Sequence, residues 1–305
     1  MTINKILVTG SSGTIGTHLC NNLLRKGYDV VGVDWKPNEW SKEVDRLTIN
    51  IDLRNKDDVL SKLPKDVDLV IHFAANPRVY NSVVDPSIAR DNFETLFNTL
   101  EYARQNNVKR FMFSSSREAY GNSDKIIHNE DEAYVKNAES PYTATKIAGE
   151  AIVHSYQQCY NMDFVIFRFS NVYGMYDGSD RLIPLFIKQC KEGEDMTVFG
   201  DEKLLDFTYI DDTVNGVMLS IEKFNEVKNE VFNISCGKGS TILEVAEMTK
   251  KLMNSNNNII LKENRTGEVV KFIADITKAK EKLGYNPQTS IEDGLKKSIE
   301  WYSLS

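Results

Sequence analysis

The chain has 305 residues, 41% of them hydrophobic and 27% charged, with a net charge of −7 at pH 7. That length can bury a large core, and the negative balance leaves no basic footprint for nucleic acid or an anionic membrane. Cys20, Cys159, Cys190 and Cys236 lack C-x-x-C spacing, His18, His72, His128 and His154 lack metal-ligand spacing, and no apolar run approaches ~18 residues, so reduced thiols in a cytoplasmic protein without a metal are expected.

An apolar strand from Lys5 runs into Gly10, Gly13 and Gly16, and a helix over about 14–25 follows with Ile15, Leu19, Leu23 and Leu24 on its apolar positions. Gly27 suits its C-terminal stop. A second strand over 29–34 ends on Asp34, about 20 residues after the glycines. Glycines at such a turn let the backbone approach a pyrophosphate, whose charge favours a helix N-terminus. A carboxylate at the end of the second strand holds a ribose 2′-hydroxyl and repels a 2′-phosphate. Strand, glycines, helix, strand and acid in this order point to a dinucleotide, with Asp34 favouring NAD over NADP.

Further strands are expected at 47–51, 69–73, 110–114 and 164–169, with helices over 57–63, 88–106 and 142–160 between them. This alternation predicts a doubly wound parallel sheet of Rossmann type. Beyond Gly174 the pattern becomes mixed. Short strands (196–199, 206–209, 259–261) mingle with helices (212–224, 242–254, 291–302), and 230–234 is expected to return to the main sheet. The predicted plan is a cofactor domain over 1–173 that also receives about 206–236. A smaller mixed α/β substrate lobe is built from 174–205 and 237–305, with the substrate in the cleft between the two.

Within the helix over 142–160, Tyr142 and Lys146 are one turn apart and share a face. A free phenol titrates near pH ~10, and bringing it to about 7 takes roughly 4 kcal/mol of preference for the phenolate. An adjacent ammonium in a dry site supplies preference of that sign. Lys146 is therefore expected beside the Tyr142 hydroxyl, with Tyr142 as a base.

With these motifs the sequence resembles the extended short-chain dehydrogenases/reductases, and within them the NAD-dependent nucleotide-sugar epimerase/dehydratase family, in its UDP-glucose/UDP-galactose 4-epimerase-like branch. The similarity runs from Lys5 to Tyr302. Gly10, Gly13 and Gly16 match the family's glycine spacing, with Thr14 and Ile15 inside it. Asp52 and Leu53 match its pair on adenine, and the segment from His72 through Phe73, Ala74 and Ala75 matches the one along the cofactor. Asn92 falls at the usual helix asparagine, Ser114 to Ser116 match the serine-rich strand end, and Arg168, Phe169, Asn171, Tyr173 and Gly174 match the signature after the sixth strand. The resemblance implies bound NAD, with Tyr142 taking the sugar hydroxyl proton, Ser116 hydrogen-bonding that hydroxyl, and Lys146 on the nicotinamide ribose. Hydride then passes to NAD and leaves a 4-keto sugar. It also implies a nucleoside-diphosphate sugar as substrate, UDP foremost, with Asn171 near the diphosphate, Arg265 on phosphate and Glu268 on ribose. Arg78 would line the sugar pocket, and a homodimer would form through the helices over 88–106 and 142–160.

Two positions depart from the family pattern. Leu205 stands where an arginine usually grips the diphosphate, a loss on the order of 1.5–3 kcal/mol for which Lys203 is the expected compensation. Arg117 and Glu118 follow Ser116, and Glu118 is the kind of second base that elimination at C5 would need. The expected reaction is a 4-epimerisation. The alternative is a 4,6-dehydratase using Glu118, followed by a 4-keto sugar reductase or a UDP-glucuronate decarboxylase.

Overall fold

The computed structural model describes residues 2–304. In chain order the first part contains β1 (Lys5–Thr9), α1 (Thr14–Arg25), β2 (Asp29–Asp34), α2 (Lys42–Leu47), β3 (Thr48–Asn50), α3 (Lys56–Lys62) and β4 (Leu69–His72). There follow α4 (Val79–Val84), α5 (Ser87–Gln105), β5 (Arg110–Ser116), β6 (Ile127–His128), α6 (Pro141–Tyr160), β7 (Asp163–Phe169) and β8 (Asn171–Tyr173). The remainder is α7 (Leu182–Glu192), β9 (Met196–Phe199), β10 (Leu204–Tyr209), α8 (Ile210–Glu222), α9 (Phe224–Val227), β11 (Glu230–Ile234), β12 (Gly239–Thr241), α10 (Ile242–Leu252), β13 (Ile259–Lys262), β14 (Lys271–Ala274), α11 (Thr277–Leu283) and α12 (Ile291–Leu304).

Seven strands form one sheet in the order β11-β7-β5-β4-β1-β2-β3, parallel throughout. Strand alternation divides the core. Ile6 and Val8 of β1 belong to one cluster, and Leu7 belongs to the other, which lies under α3, α5 and α6. The first cluster continues through Leu205, Phe207 and Phe272 into the C-terminal part, so both halves share one apolar interior.

The smaller sheet changes the expected division of the chain. β10 was assigned from residue 206 onward to the cofactor domain, but it pairs with β8, β12 and β14. Only α8, packed on α1, and β11 join the larger layer. β6, from the first half, pairs with β14 in the smaller sheet. β10 is an inner strand of that sheet, with β12 on one edge and β8 and β14 on the other, and Leu205 to Tyr209 are all buried.

Helix α6 places the reacting residues. Ser140 caps it by accepting from the Thr143 N–H at 3.1 Å, Pro141 starts it, and Asn161 ends it in the left-handed region. Gly149 brings it close to the sheet, since a Cβ there would lie 2.7 Å from Phe113 Cζ and 3.0 Å from Leu96 Cδ2. On the two helices expected to form a dimer, the apolar positions Leu96, Leu100, Ala103 and Tyr156 are buried inside this subunit.

Alanine at Gly149 is expected to destabilise the protein although it favours helix. The propensity gain is about 1 kcal/mol, whereas overpacking a buried ring costs about 1–3 kcal/mol. A urea midpoint lowered by Gly149→Ala would agree, and an unchanged or raised midpoint would show that Phe113 yields freely.

Candidate active site

The glycine turn is shaped by contacts that no side chain could share. A Cβ on Gly16 would sit 1.9 Å from the Gly10 carbonyl oxygen, and one on Gly10 would sit 2.8 Å from the Ala74 nitrogen and 2.9 Å from the Phe73 carbonyl carbon. Gly13 meets only the Gly10 oxygen, at 3.3 Å, so its outer side is open. Helix α1 then begins at Thr14 with no capping side chain and no acid in its first turn. Its first N–H groups and positive dipole end suit a pyrophosphate. Ile15 is half-buried against the core. Asp34 follows at the end of β2, accepting from Ser12 N–H at 3.0 Å and Lys36 N–H at 3.1 Å. Burial raises its pKa, and these backbone donors oppose the shift. The cradle and this carboxylate fit an adenosine ribose and pyrophosphate.

Other expected cofactor residues are engaged by the protein itself. The Asp52 carboxylate is held by Arg54, which donates from Nη2 at 2.6 Å and also reaches Asp91 at 2.8 Å. The Leu53 side chain lies in the core. Asn92 clamps the backbone of Asn76 in both directions, at 2.7 and 3.0 Å. The Phe73 ring meets Phe169 edge-on, with 5.7 Å between centroids. Ser114 Oγ donates to the His72 carbonyl at 3.2 Å.

At the reacting end, Ser116 closes β5 and Tyr142 lies in the first turn of α6, with its backbone N–H donating to Ser82 Oγ at 3.1 Å. The Tyr142 phenol is buried, and the Ser116 side chain lies close enough to lower its pKa. Lys146 points from the next turn of α6 towards the same strand end. Its ammonium donates to the Ser114 carbonyl at 2.7 Å and lies 5.7 Å from the Tyr142 ring centre. Burial pushes Tyr142 up to about 12, which the nearby Ser116 only partly offsets, and pushes Lys146 down to about 8. The protein alone therefore leaves the phenol protonated at neutral pH. Lowering its pKa takes a further positive charge beside it, such as an oxidised nicotinamide ring carries. Sequence reasoning overlooked Arg181, whose charge also lowers the Tyr142 pKa. No motif marks it, because it meets the site from a loop.

Arg117 and Glu118 form a buried ion pair, with Nη2 2.8 Å from Oε1. Arg117 Nη1 and Glu118 Oε2 have no hydrogen-bond partner. Burial raises the Glu118 pKa, Arg117 opposes that, and Glu268 adds to it. In the smaller lobe, Lys203 is buried and donates to Glu268 at 2.6 Å, so two expected substrate contacts are paired with one another. Leu205, at the usual arginine position, is in the core. Arg265 lies over the Phe199 ring at 3.9 Å and near Tyr80 at 5.4 Å. Asn171 donates to the Asp206 carbonyl at 3.1 Å, and Arg78 pairs with Asp180. Arg168 is structural, forking onto Glu150 of α6 at 2.9 and 2.7 Å.

Comparison with known proteins agrees with this geometry. The profile of the NAD dependent epimerase/dehydratase family matches residues 6–235. An uncharacterized UDP-glucose epimerase of Bacillus subtilis is 33% identical, with 98% of both chains covered. Among solved structures, the UDP-glucuronic acid 4-epimerase of Bacillus cereus, in complex with UDP-glucuronic acid and NAD, is 33% identical. Its TM-score is 0.90, over 98% of this chain and 99% of that one. The UDP-glucose 4-epimerase of Thermotoga maritima, with UDP-glucose, is 32% identical with a TM-score of 0.89, over 98% and 99%.

Asp34→Ala is expected to weaken NAD binding by about tenfold, the worth of a charged hydrogen bond, and to narrow the preference over NADP. Titration of both cofactors checks this; an unchanged NAD-to-NADP ratio would remove Asp34 from that role.

Proposed function

The chain belongs to the NAD-dependent epimerase/dehydratase family, and from that membership we propose that it is a nucleotide-sugar 4-epimerase, acting on a UDP-sugar through a transient 4-keto sugar. Bound NAD supplies the hydride acceptor and, once the keto sugar has turned over, the hydride donor. Tyr142 takes the proton of the 4-hydroxyl and later returns it, while Ser116 hydrogen-bonds the same oxygen. Lys146, fixed by the Ser114 carbonyl, contributes positive charge at the nicotinamide ribose. Burial of Ser116, Tyr142 and Lys146 keeps competing water away from a reactive ketone. Asn171, Arg265, Glu268 and Lys203 are assigned to the nucleoside diphosphate, and Arg78 to the sugar end.

The observation that carries the reading is the Arg117–Glu118 ion pair. Elimination of water needs an acid to protonate the departing hydroxyl, and Arg117 stands where that acid would be. A guanidinium does not release its proton. Epimerisation needs only Ser116, Tyr142 and Lys146, all at one strand end. A dehydratase stays as the second reading because Glu118 Oε2 lacks a partner and its charge acts on Tyr142. A homodimer belongs to the same proposal, through the outer faces of α5 and α6, where Phe97 and Tyr160 are exposed.

The test is incubation with UDP-, dTDP-, GDP- and CDP-sugars in heavy water, read by mass spectrometry and proton NMR. A stereoisomer of unchanged mass without solvent deuterium is expected. Loss of water with deuterium incorporation would overturn the epimerase reading. Glu118→Gln is expected to keep turnover within about tenfold, whereas a working base at C5 would cost about 10²–10⁴. Tyr142→Phe should lower kcat by about 10²–10⁴ with NAD still bound; near-normal turnover would remove the assigned base.

A further inference from the structure

We propose that the loop over residues 174–181 is a strap that retains NAD, and that Trp301 and Tyr302 of α12 are positioning residues that hold it closed. The loop has contacts near both ends of the path proposed for the cofactor. At one end the Tyr176 carbonyl accepts from Thr14 Oγ1 at 3.1 Å, beside the α1 N-terminus that suits the pyrophosphate. At the other end Asp180 pairs with Arg78, and the Arg181 charge acts on the Tyr142 phenol. A cofactor running from the glycine turn to Tyr142 follows the same line.

This conformation is held, not relaxed. Tyr176 has φ 64°, a left-handed backbone that an aromatic residue rarely adopts. Such a conformation persists only where neighbours over-determine it. Here the neighbours come from the far end of the chain. The Tyr302 hydroxyl donates to the Asp177 carbonyl at 2.7 Å and lies 3.1 Å from the Gly174 carbonyl. The Trp301 ring meets Tyr176 edge-on at 5.6 Å and packs on Trp40 at 5.3 Å. Trp40 belongs to the segment after Asp34, and its neighbour Asn38 donates to the Ser11 carbonyl of the glycine turn at 3.1 Å. The last turns of α12 therefore tie together the two segments that flank the pyrophosphate site. Released from them, the strained loop has no reason to stay over the cradle, and NAD leaves faster.

The inference rests on NAD as the cofactor, not on the reaction assigned above. The experiment measures NAD release from holoenzyme by dilution into cofactor-free buffer, together with kcat at saturating NAD. It uses wild type, Tyr302→Phe, Trp301→Ala and Trp301→Phe. Tyr302→Phe and Trp301→Ala are expected to release NAD about tenfold faster, the equivalent of one lost hydrogen bond. Trp301→Phe, which keeps a ring there, should return release to within about threefold of wild type. kcat at saturating NAD should fall by less than the release rate rises, since the loop carries Arg181 but neither Trp301 nor Tyr302 reaches the reacting atoms. Release rates unchanged in both Tyr302→Phe and Trp301→Ala would overturn the strap. Wild type that holds no NAD would instead overturn the cofactor reading.

Discussion

The close approach of α6 to β5 is the constraint on which the rest of the site depends. Gly149 allows it, because the Phe113 ring occupies the space a side chain would need. One turn earlier on the same helix, Lys146 reaches the Ser114 carbonyl, and one further turn back Tyr142 meets Ser116. Two strand-end serines and two helix side chains are thereby brought into register by packing between rigid elements. The Glu150–Arg168 fork holds the same helix to β7. An Arg–carboxylate fork constrains direction as well as distance, so α6 cannot rotate about its axis without breaking it.

That packing also sets the electrostatics. A fully buried phenol moves away from ionisation, and a fully buried ammonium moves towards losing its proton. Both shifts are present, to about 12 for Tyr142 and about 8 for Lys146. On the function proposed above, the phenol therefore acts as a base only once a positive ring and a sugar hydroxyl stand beside it. Coupling of this kind has a use: a base that becomes effective only when cofactor and substrate are both in place does not act on stray water. The ion pairs Arg117–Glu118 and Lys203–Glu268 follow the same logic in the substrate half. Each keeps a buried charge compensated.

How much of this was legible in the sequence depends on how far the partners lie apart. The glycine turn, Asp34 and the Tyr142–Lys146 pair are spacing rules within one or two elements, and the turn, Asp34 and Ser116 beside Tyr142 all lie at the C-terminal edge of the larger parallel sheet. The helix, strand and helix order of the first half was equally readable, because each element carries its own apolar period. The parts missed are those decided by distant residues. Lys146 turns to a carbonyl 32 residues away. Asp52 is captured by Arg54 and, through it, Asp91. Lys203 finds Glu268 across 65 residues. Helix α2 went unread because it is only six residues long, too short to show a full helical period. The sheet to which β10 belongs was not legible either, since a strand buried on both faces has no alternation to say which sheet owns it.

The left-handed Tyr176 shows most clearly what a sequence withholds. Its own side chain does not ask for it: the residue is neither glycine nor asparagine, and the Asp177 turn onto Ser179 begins one residue later. Its conformation follows from a hydroxyl and an indole about 125 residues later in the chain. A strained backbone over the cofactor cradle, stabilised by the end of the chain, links completion of the fold to closure of the site. The last helix must dock before the loop can hold its shape, and the loop must hold its shape before the cradle is covered. The C-terminal helix thus acts on the N-terminal glycine turn through a chain of contacts in which every link is a hydrogen bond or a ring contact between named residues.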